Sequence, residues 1–215
     1  VWGLCRKGIF MAKKMEEGYG TKVLMNVADV DHVDLSEFSE EKAKETRRFH
    51  ESIPVYNRTP LVDLRGLGEK LGVKGIYVKN EAERFGMKAF KGLGGTYAMF
   101  RILCRELGLD PEKVDFSEFQ KEEIREKTAK YTFVTATDGN HGKGVSWASG
   151  LFGARAYVYM PKGTVKAREE AVRQAGPAEV TVTDWNYDDT VKYAKKMSEE
   201  HGWFLIQDTS WDGYE

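Results

Sequence analysis

The chain has 215 residues, with 33 Lys and Arg against 34 Asp and Glu and a formal net charge of -1. Acids and bases are mixed along it, which excludes the basic footprint of a nucleic-acid partner, and no apolar run approaches the roughly 20 residues that would span a membrane. Two cysteines, Cys5 and Cys104, are too few and too far apart for a disulfide framework or a zinc site, so a reducing, cytoplasmic setting is expected.

Residues 1–53 are polar and weakly patterned. The opening Val1 to Phe10 lacks a signal peptide's cleavage region and an initiating Met, so the start is expected at Met11 or further upstream. Leu35 to His50 reads as an exposed helix with Ser36 as N-cap and Glu40 and Glu41 in the early turns. Pro54 and Pro60 bracket a loop that leads into Leu61-Val62-Asp63-Leu64. Gly75 to Glu81 alternates like a strand and delivers the chain to Arg84-Phe85-Gly86-Met87-Lys88-Ala89-Phe90-Lys91-Gly92-Leu93-Gly94-Gly95.

In that stretch a lysine sits between an apolar approach and a glycine-rich turn. Packed against Ala89 and Phe90, the Lys91 ammonium would lose water, and its amine would become able to attack a carbonyl. Glycines 92, 94 and 95 would let the backbone approach a ligand, and the following helix N-terminus favours an anion. Together these suit a Schiff base with a phosphate-bearing aldehyde.

From Gly94 a helix is predicted, with Leu93, Tyr97, Phe100, Cys104 and Leu107 on its core face and Gly108 as its end. Cys104 on that stripe reads as a packed small residue rather than a nucleophile. Leu109 to Lys130 is charged and reads as a helical excursion on the surface. The remainder alternates. Strands are predicted at 131–136, 154–160, 179–183 and 203–206. Helices are predicted at about 141–152, after the loop Pro161-Lys162-Gly163-Thr164 through 175, and at 188–200. Strands alternating with helices of this length mean parallel βαβ units with right-handed crossovers, an α/β fold.

A second glycine-rich strand-to-helix turn, Thr135-Ala136-Thr137-Asp138-Gly139-Asn140-His141-Gly142-Lys143-Gly144, belongs at the ligand crevice of such a sheet. Ala89-Phe90-Lys91 with Gly-Leu-Gly-Gly, and Asp138-Gly139-Asn140-His141-Gly142, resemble the two signatures of fold-type II pyridoxal-phosphate enzymes. Within that superfamily, Arg-Phe-Gly-x-x-Ala-Phe-Lys, Ala-Thr-Asp-Gly-Asn-His-Gly and the terminal Gln207-Asp208-Thr209-Ser210-Trp211-Asp212-Gly213-Tyr214 resemble the diaminopropionate ammonia-lyases. The similarity runs from about Tyr56 to the end of the chain.

The resemblance implies pyridoxal 5'-phosphate as cofactor and a small amino acid as substrate. The implied reaction eliminates ammonia from 2,3-diaminopropionate, D and L, to give pyruvate and ammonia. The alternatives are another β-elimination or replacement of the serine or threonine dehydratase kind, or an inactive cofactor-binding fragment. Most relatives carry Ser where Ala89 stands, which argues against the dehydratase assignment. Lys91 would hold the cofactor as a Schiff base and act as base for the L-substrate, with Asp138 as base for the D-substrate; Asp138 also reads as a helix cap. Phe90, Gly139 and Asn140 would contact the cofactor, Asn140 at its ring hydroxyl, though Asn in a turn also caps backbone. Asp208 would bind or protonate the distal amino group, or simply form a turn. His141 would orient the turn or pack, and Trp211 and Tyr214 would line the pocket or the core.

Three segments are expected: 1–87 as part of a large domain, 88–202 as a small α/β domain, and 203–215 returning to the large one. The glycine-rich loop that cradles the cofactor phosphate would lie C-terminal to the residues given. The chain therefore reads as part of a longer enzyme, inactive as it stands and a homodimer at full length.

Overall fold

A computed structural model of the chain describes residues 36–209. Contacts divide the chain into Val1–Ala43 and Lys44–Glu215. In the first unit the described residues form a short 3-10 turn, Ser36–Phe38, and the start of helix α1 (Glu40–Glu51). Ser39 rather than Ser36 serves that start: its hydroxyl accepts from the Lys42 N–H at 3.3 Å. The cap shifts three residues because the 3-10 turn occupies the residues expected to open the helix. The signal-peptide and start-site readings, Cys5, Trp211 and Tyr214 lie outside the described residues.

In the second unit, β1 (Leu61–Asp63) and β2 (Tyr77–Lys79) form an antiparallel pair around α2 (Arg65–Leu71). The loop after β2 leads to α3 (Gly92–Leu107), which stops at Gly108 with φ 67°. After α4 (Glu122–Thr128) the chain alternates through β3 (Thr132–Ala136), α5 (Asn140–Phe152), β4 (Arg155–Met160), α6 (Lys166–Ala175), β5 (Glu179–Val182), α7 (Tyr187–His201) and β6 (Phe204–Leu205). The four strands form a parallel sheet in the order β5-β4-β3-β6.

The sheet's centre explains its composition. Every residue of β3, Thr-Phe-Val-Thr-Ala, is buried, as a central parallel strand covered on both faces requires. Phe133 faces the core built with α3 and α5, while Val134 and Ala136 face α7 through Ala194. The first of these cores also draws in Phe49 and Ile53 at the end of α1, and Ile206 after β6. Phe49 stacks on Phe100 of α3 with centroids 4.2 Å apart.

Two expectations about the core are corrected. The buried stripe of α3 is Thr96, Met99, Phe100, Leu103 and Cys104, while Leu93, Tyr97 and Leu107 are only partly buried. Gly92 and Gly95 lie on this buried face as well, which is offset from the expected one. The charged stretch 109–130 is more than surface: Phe116, Phe119 and Ile124 are buried, with Phe119 edge-on to Phe152 at 5.1 Å. Its few apolar residues fill the core while its many charges stay in water.

Candidate active site

The carboxyl ends of β3 and β6 lie side by side, and the loops leaving them carry the polar groups singled out in the sequence. After β3, Thr137 accepts from the N–H of Gly139 at 3.0 Å and of Gly142 at 3.1 Å. It satisfies donors at the start of α5 that would otherwise go unpaired. Thr137 therefore does the capping considered for Asp138. Gly139 takes φ 159° at the turn, and Asn140, exposed, opens the helix.

Asp138 is exposed at the start of this turn. Its side chain is 74% exposed, with its carboxylate 3.5 Å from an Arg168 guanidinium nitrogen. Arg168 also donates to the Asp138 carbonyl at 3.4 Å.

After β6, Gln207 continues the pairing that the strand itself abandons. Its side-chain oxygen accepts from Thr135 Oγ1 at 2.9 Å and from the Ala136 N–H at 3.3 Å, and its amide donates to the Ala136 carbonyl at 3.2 Å. His141 donates from Nε2 to the Ile206 carbonyl at 3.0 Å. Burial holds this imidazole below its ordinary pKa, against the raising effects of that hydrogen bond and of Asp208. A neutral, hydrogen-bonded ring is a strut, as expected for His141, and together with Gln207 it fixes where Asp208 leaves the sheet.

Lys91 immediately precedes α3, and its Nζ lies 2.6 Å from Asp208 Oδ2. The two side chains are 30% and 25% exposed, a contact partly shielded yet open to a ligand. Burial pulls the Asp208 carboxyl upward, but the hydrogen bond from Lys91, with the charge of that ammonium, outweighs it and holds the group below the usual carboxylate range. The apolar seat expected for the lysine is thus replaced by an ion pair. Phe90 is exposed, with the ammonium 5.4 Å from its ring centroid.

The glycines after Lys91 also serve a different purpose from the one expected. A Cβ on Gly92 would fall 2.1 Å from the Met87 methyl, and one on Gly95 would meet the Gly144 backbone at 3.5 Å. A Cβ on Gly144 would lie 2.9 Å from the Lys91 carbonyl oxygen. Gly92 therefore leaves room for the Met87 side chain and Gly144 for the lysine loop, whereas a Cβ on Gly95 would make ordinary contact and Gly94 has open space around it.

Upstream, buried Arg84 donates to Glu81 at 2.9 and 3.0 Å, to the Asn57 carbonyl at 2.7 Å and to Thr59 at 3.1 Å. Thr59 and Lys79 complete this network. The hydrogen bond from Arg84 depresses the Glu81 carboxyl to about 2, against the opposing effect of burial.

The arrangement suits an aldehyde cofactor. A reachable amine stands opposite a carboxylate, at the mouth of a parallel sheet, beside a helix N-terminus that opens with an exposed amide. Lys91 can bind the aldehyde carbon, and Asn140 can hydrogen-bond a ring substituent without adding charge. Among the described residues no group of His, Cys, Asp and Glu could hold a metal ion, and no helix is long and apolar enough to cross a membrane. Cys104 is buried, and burial pushes its thiol up to about 12, which fits the packing role expected of it.

Sequence reasoning missed Arg168 and Tyr187. Tyr187 opens α7, hydrogen-bonds Gln207, and is raised in pKa by burial and then by the charges of Asp208 and Asp138. Position just after a strand's carboxyl end was the only signal available for it.

The chain is similar to the diaminopropionate ammonia-lyase of Salmonella typhimurium, with 48% identity over 80% of this chain and 42% of that one. The Escherichia coli protein of the same name is 49% identical over 82% of this chain and 43% of its own. A crystal structure of the Escherichia coli protein in complex with D-serine superposes with a TM-score of 0.77 at 45% identity, covering 84% of this chain and 45% of that one. The chain thus spans less than half the length of these relatives. With Lys91 and Asp208 in contact beside the carboxyl end of the sheet, residues 53–215, well over half the sequence, match the pyridoxal-phosphate dependent enzymes, and the chain belongs to that family.

Proposed function

We propose that the full-length protein eliminates ammonia from D- and L-2,3-diaminopropionate, giving pyruvate and two molecules of ammonia, with pyridoxal phosphate held at Lys91. The observation that carries this reading is the 2.6 Å contact between Lys91 and Asp208. A carboxylate already seated on one ammonium is chemically suited to take a second, the distal amino group of a diamino acid, once Lys91 is engaged elsewhere. A hydroxy amino acid offers no such cation.

The cofactor, when bound, supplies the electron sink that lets an α-proton leave. Lys91 would hold the cofactor through its aldehyde and, as a free amine, would take the α-proton of the L-isomer. Asp138 takes the α-proton of the D-isomer from the other face, which requires it to leave Arg168. Asp208 would hold the β-amino group as its ammonium, which leaves as ammonia without a further proton. Breaking the α C–H and β C–N bonds forms the alkene. Its enamine tautomerises to an imine, and water hydrolyses this to pyruvate and the second ammonia. Asn140 would hydrogen-bond the cofactor's ring hydroxyl, and Phe90 and Gly139 would contribute to holding it.

In this reading 1–87 and 203–215 belong to a large domain and 88–202 to a small one, in a cytoplasmic homodimer. The test uses the full-length protein: add pyridoxal phosphate, reduce with borohydride, digest, and map the modified lysine by mass spectrometry. The expected result is a pyridoxyl group on Lys91, with two ammonia released per pyruvate from either isomer of diaminopropionate. Modification elsewhere, or faster pyruvate release from serine, overturns the reading.

A further inference from the structure

The approach to Lys91 is conformationally strained. Phe85, Gly86 and Lys88 adopt φ of 52°, 70° and 57°, a left-handed region in which only the glycine sits without steric cost. Such strain persists where surrounding groups over-determine the backbone. On one side the buried Arg84 network does this. On the other side the restraint comes from α5. Lys143 Nζ donates to the Met87 carbonyl at 2.8 Å, and Trp147, one turn further along the same face, stacks on Phe85 with centroids 4.5 Å apart. Lys143 lies three residues after Asn140, so a single helical turn separates the cofactor-facing amide from the side chain that grips the lysine loop.

We propose that Lys143 is a positioning residue: by gripping the Met87 carbonyl it locks the strained segment 85–88 and keeps the Lys91 amine in register with the Asn140 turn. An ammonium on a carbonyl is a charge-assisted hydrogen bond, stronger than a neutral one, and its acceptor is the peptide oxygen immediately before Lys88. The inference rests on Lys91 as the cofactor-holding residue, but the grip itself can be read without cofactor.

The experiment uses the full-length protein carrying Lys143→Met, Lys143→Arg, or Lys143→Met with Lys88→Gly. In the cofactor-free protein, amide hydrogen exchange across 85–92 should quicken in Lys143→Met by about tenfold, the size expected for one lost charge-assisted hydrogen bond. Amides of β3 should be unchanged. The rate of borohydride-trapped pyridoxyl incorporation at Lys91 should fall by a similar factor. Lys143→Arg should restore both, and so should Lys88→Gly in the Lys143→Met background, because glycine takes the left-handed conformation freely. Unaltered exchange and capture in folded Lys143→Met, or failure of both rescues, overturns the proposal. Should Lys143→Met not fold, Lys143→Gln carries the same comparison. Labelling of a different lysine in the wild type would instead defeat the reading of Lys91, while the exchange measurement would still judge Lys143.

Discussion

Asp138 is the residue whose placement says most about stereochemistry. It faces Arg168 across 3.5 Å with both side chains largely exposed, and exposed ion pairs contribute little. Leaving Arg168 to reach a substrate is therefore cheap. Asp138→Asn should lower turnover of D-diaminopropionate by about a hundredfold or more, the low end for loss of a general base. Turnover of the L-isomer, for which Lys91 is the proposed base, should stay within a few-fold. Pyruvate release from each isomer by the full-length variant measures the split, and equal losses would end the two-base scheme. Asp138, Asn140 and Lys91 were legible as polar residues at glycine-rich strand-to-helix turns, and Asp208 as one at a strand's carboxyl end. Which groups they touch was not: Arg168 and Asp208 lie 30 and 117 residues from their partners, and no local pattern encodes such pairings.

At the scale of elements, the site depends on how closely α3 and α5 pack. Gly144→Ala would place a methyl 2.9 Å from the Lys91 oxygen and 3.1 Å from the Gly92 nitrogen. Both are backbone atoms that cannot swing aside, so the helices must part. The substitution should cost about 1–3 kcal/mol in overpacking, although alanine by itself favours a helix by about 1 kcal/mol over glycine. Gly94→Ala, with open space around the new methyl, should show only the helix gain. Urea melts of the two variants give the comparison, and similar midpoints would mean that α3 and α5 tolerate separation. The glycines were visible in the sequence as a turn signal. Their use in helix packing was not, because it depends on which helix lies opposite.

Across the whole molecule, acid should unfold the protein in two stages. Burial holds His50 and His141 below their ordinary value of 6.5. As pH falls below 6.5 the unfolded chain gains protons that the folded one refuses, and stability drops. Glu81 titrates near 4.5 when unfolded and at about 2 in the Arg84 network. Its contribution is complete above about 4.5 and is lost between there and about 2; Asp208, also depressed, adds to the loss below 3.8. Urea midpoints from pH 7 to 3 should decline throughout. Glu81→Gln should lower the midpoint at pH 7 and flatten the decline below pH 4.5, whereas an unchanged slope would mean that the network does not stabilise the fold.

The sequence by itself determined the alternation of strands and helices, the parallel sheet and the two polar turns. Each follows from periodicity and glycine placement within a short window, or from motifs that persist along the chain. Tertiary structure alone decided that Lys91 meets Asp208 instead of an apolar wall, that Thr137 rather than Asp138 caps α5, and that Phe116 and Phe119 leave a charged stretch to fill the core. It also decided the roles of Gln207 and His141, which stitch the end of β6 to β3 and α5. The physical reason is common to all of these. Burial and long-range pairing depend on what the fold brings opposite each residue, and that partner is absent from the local sequence.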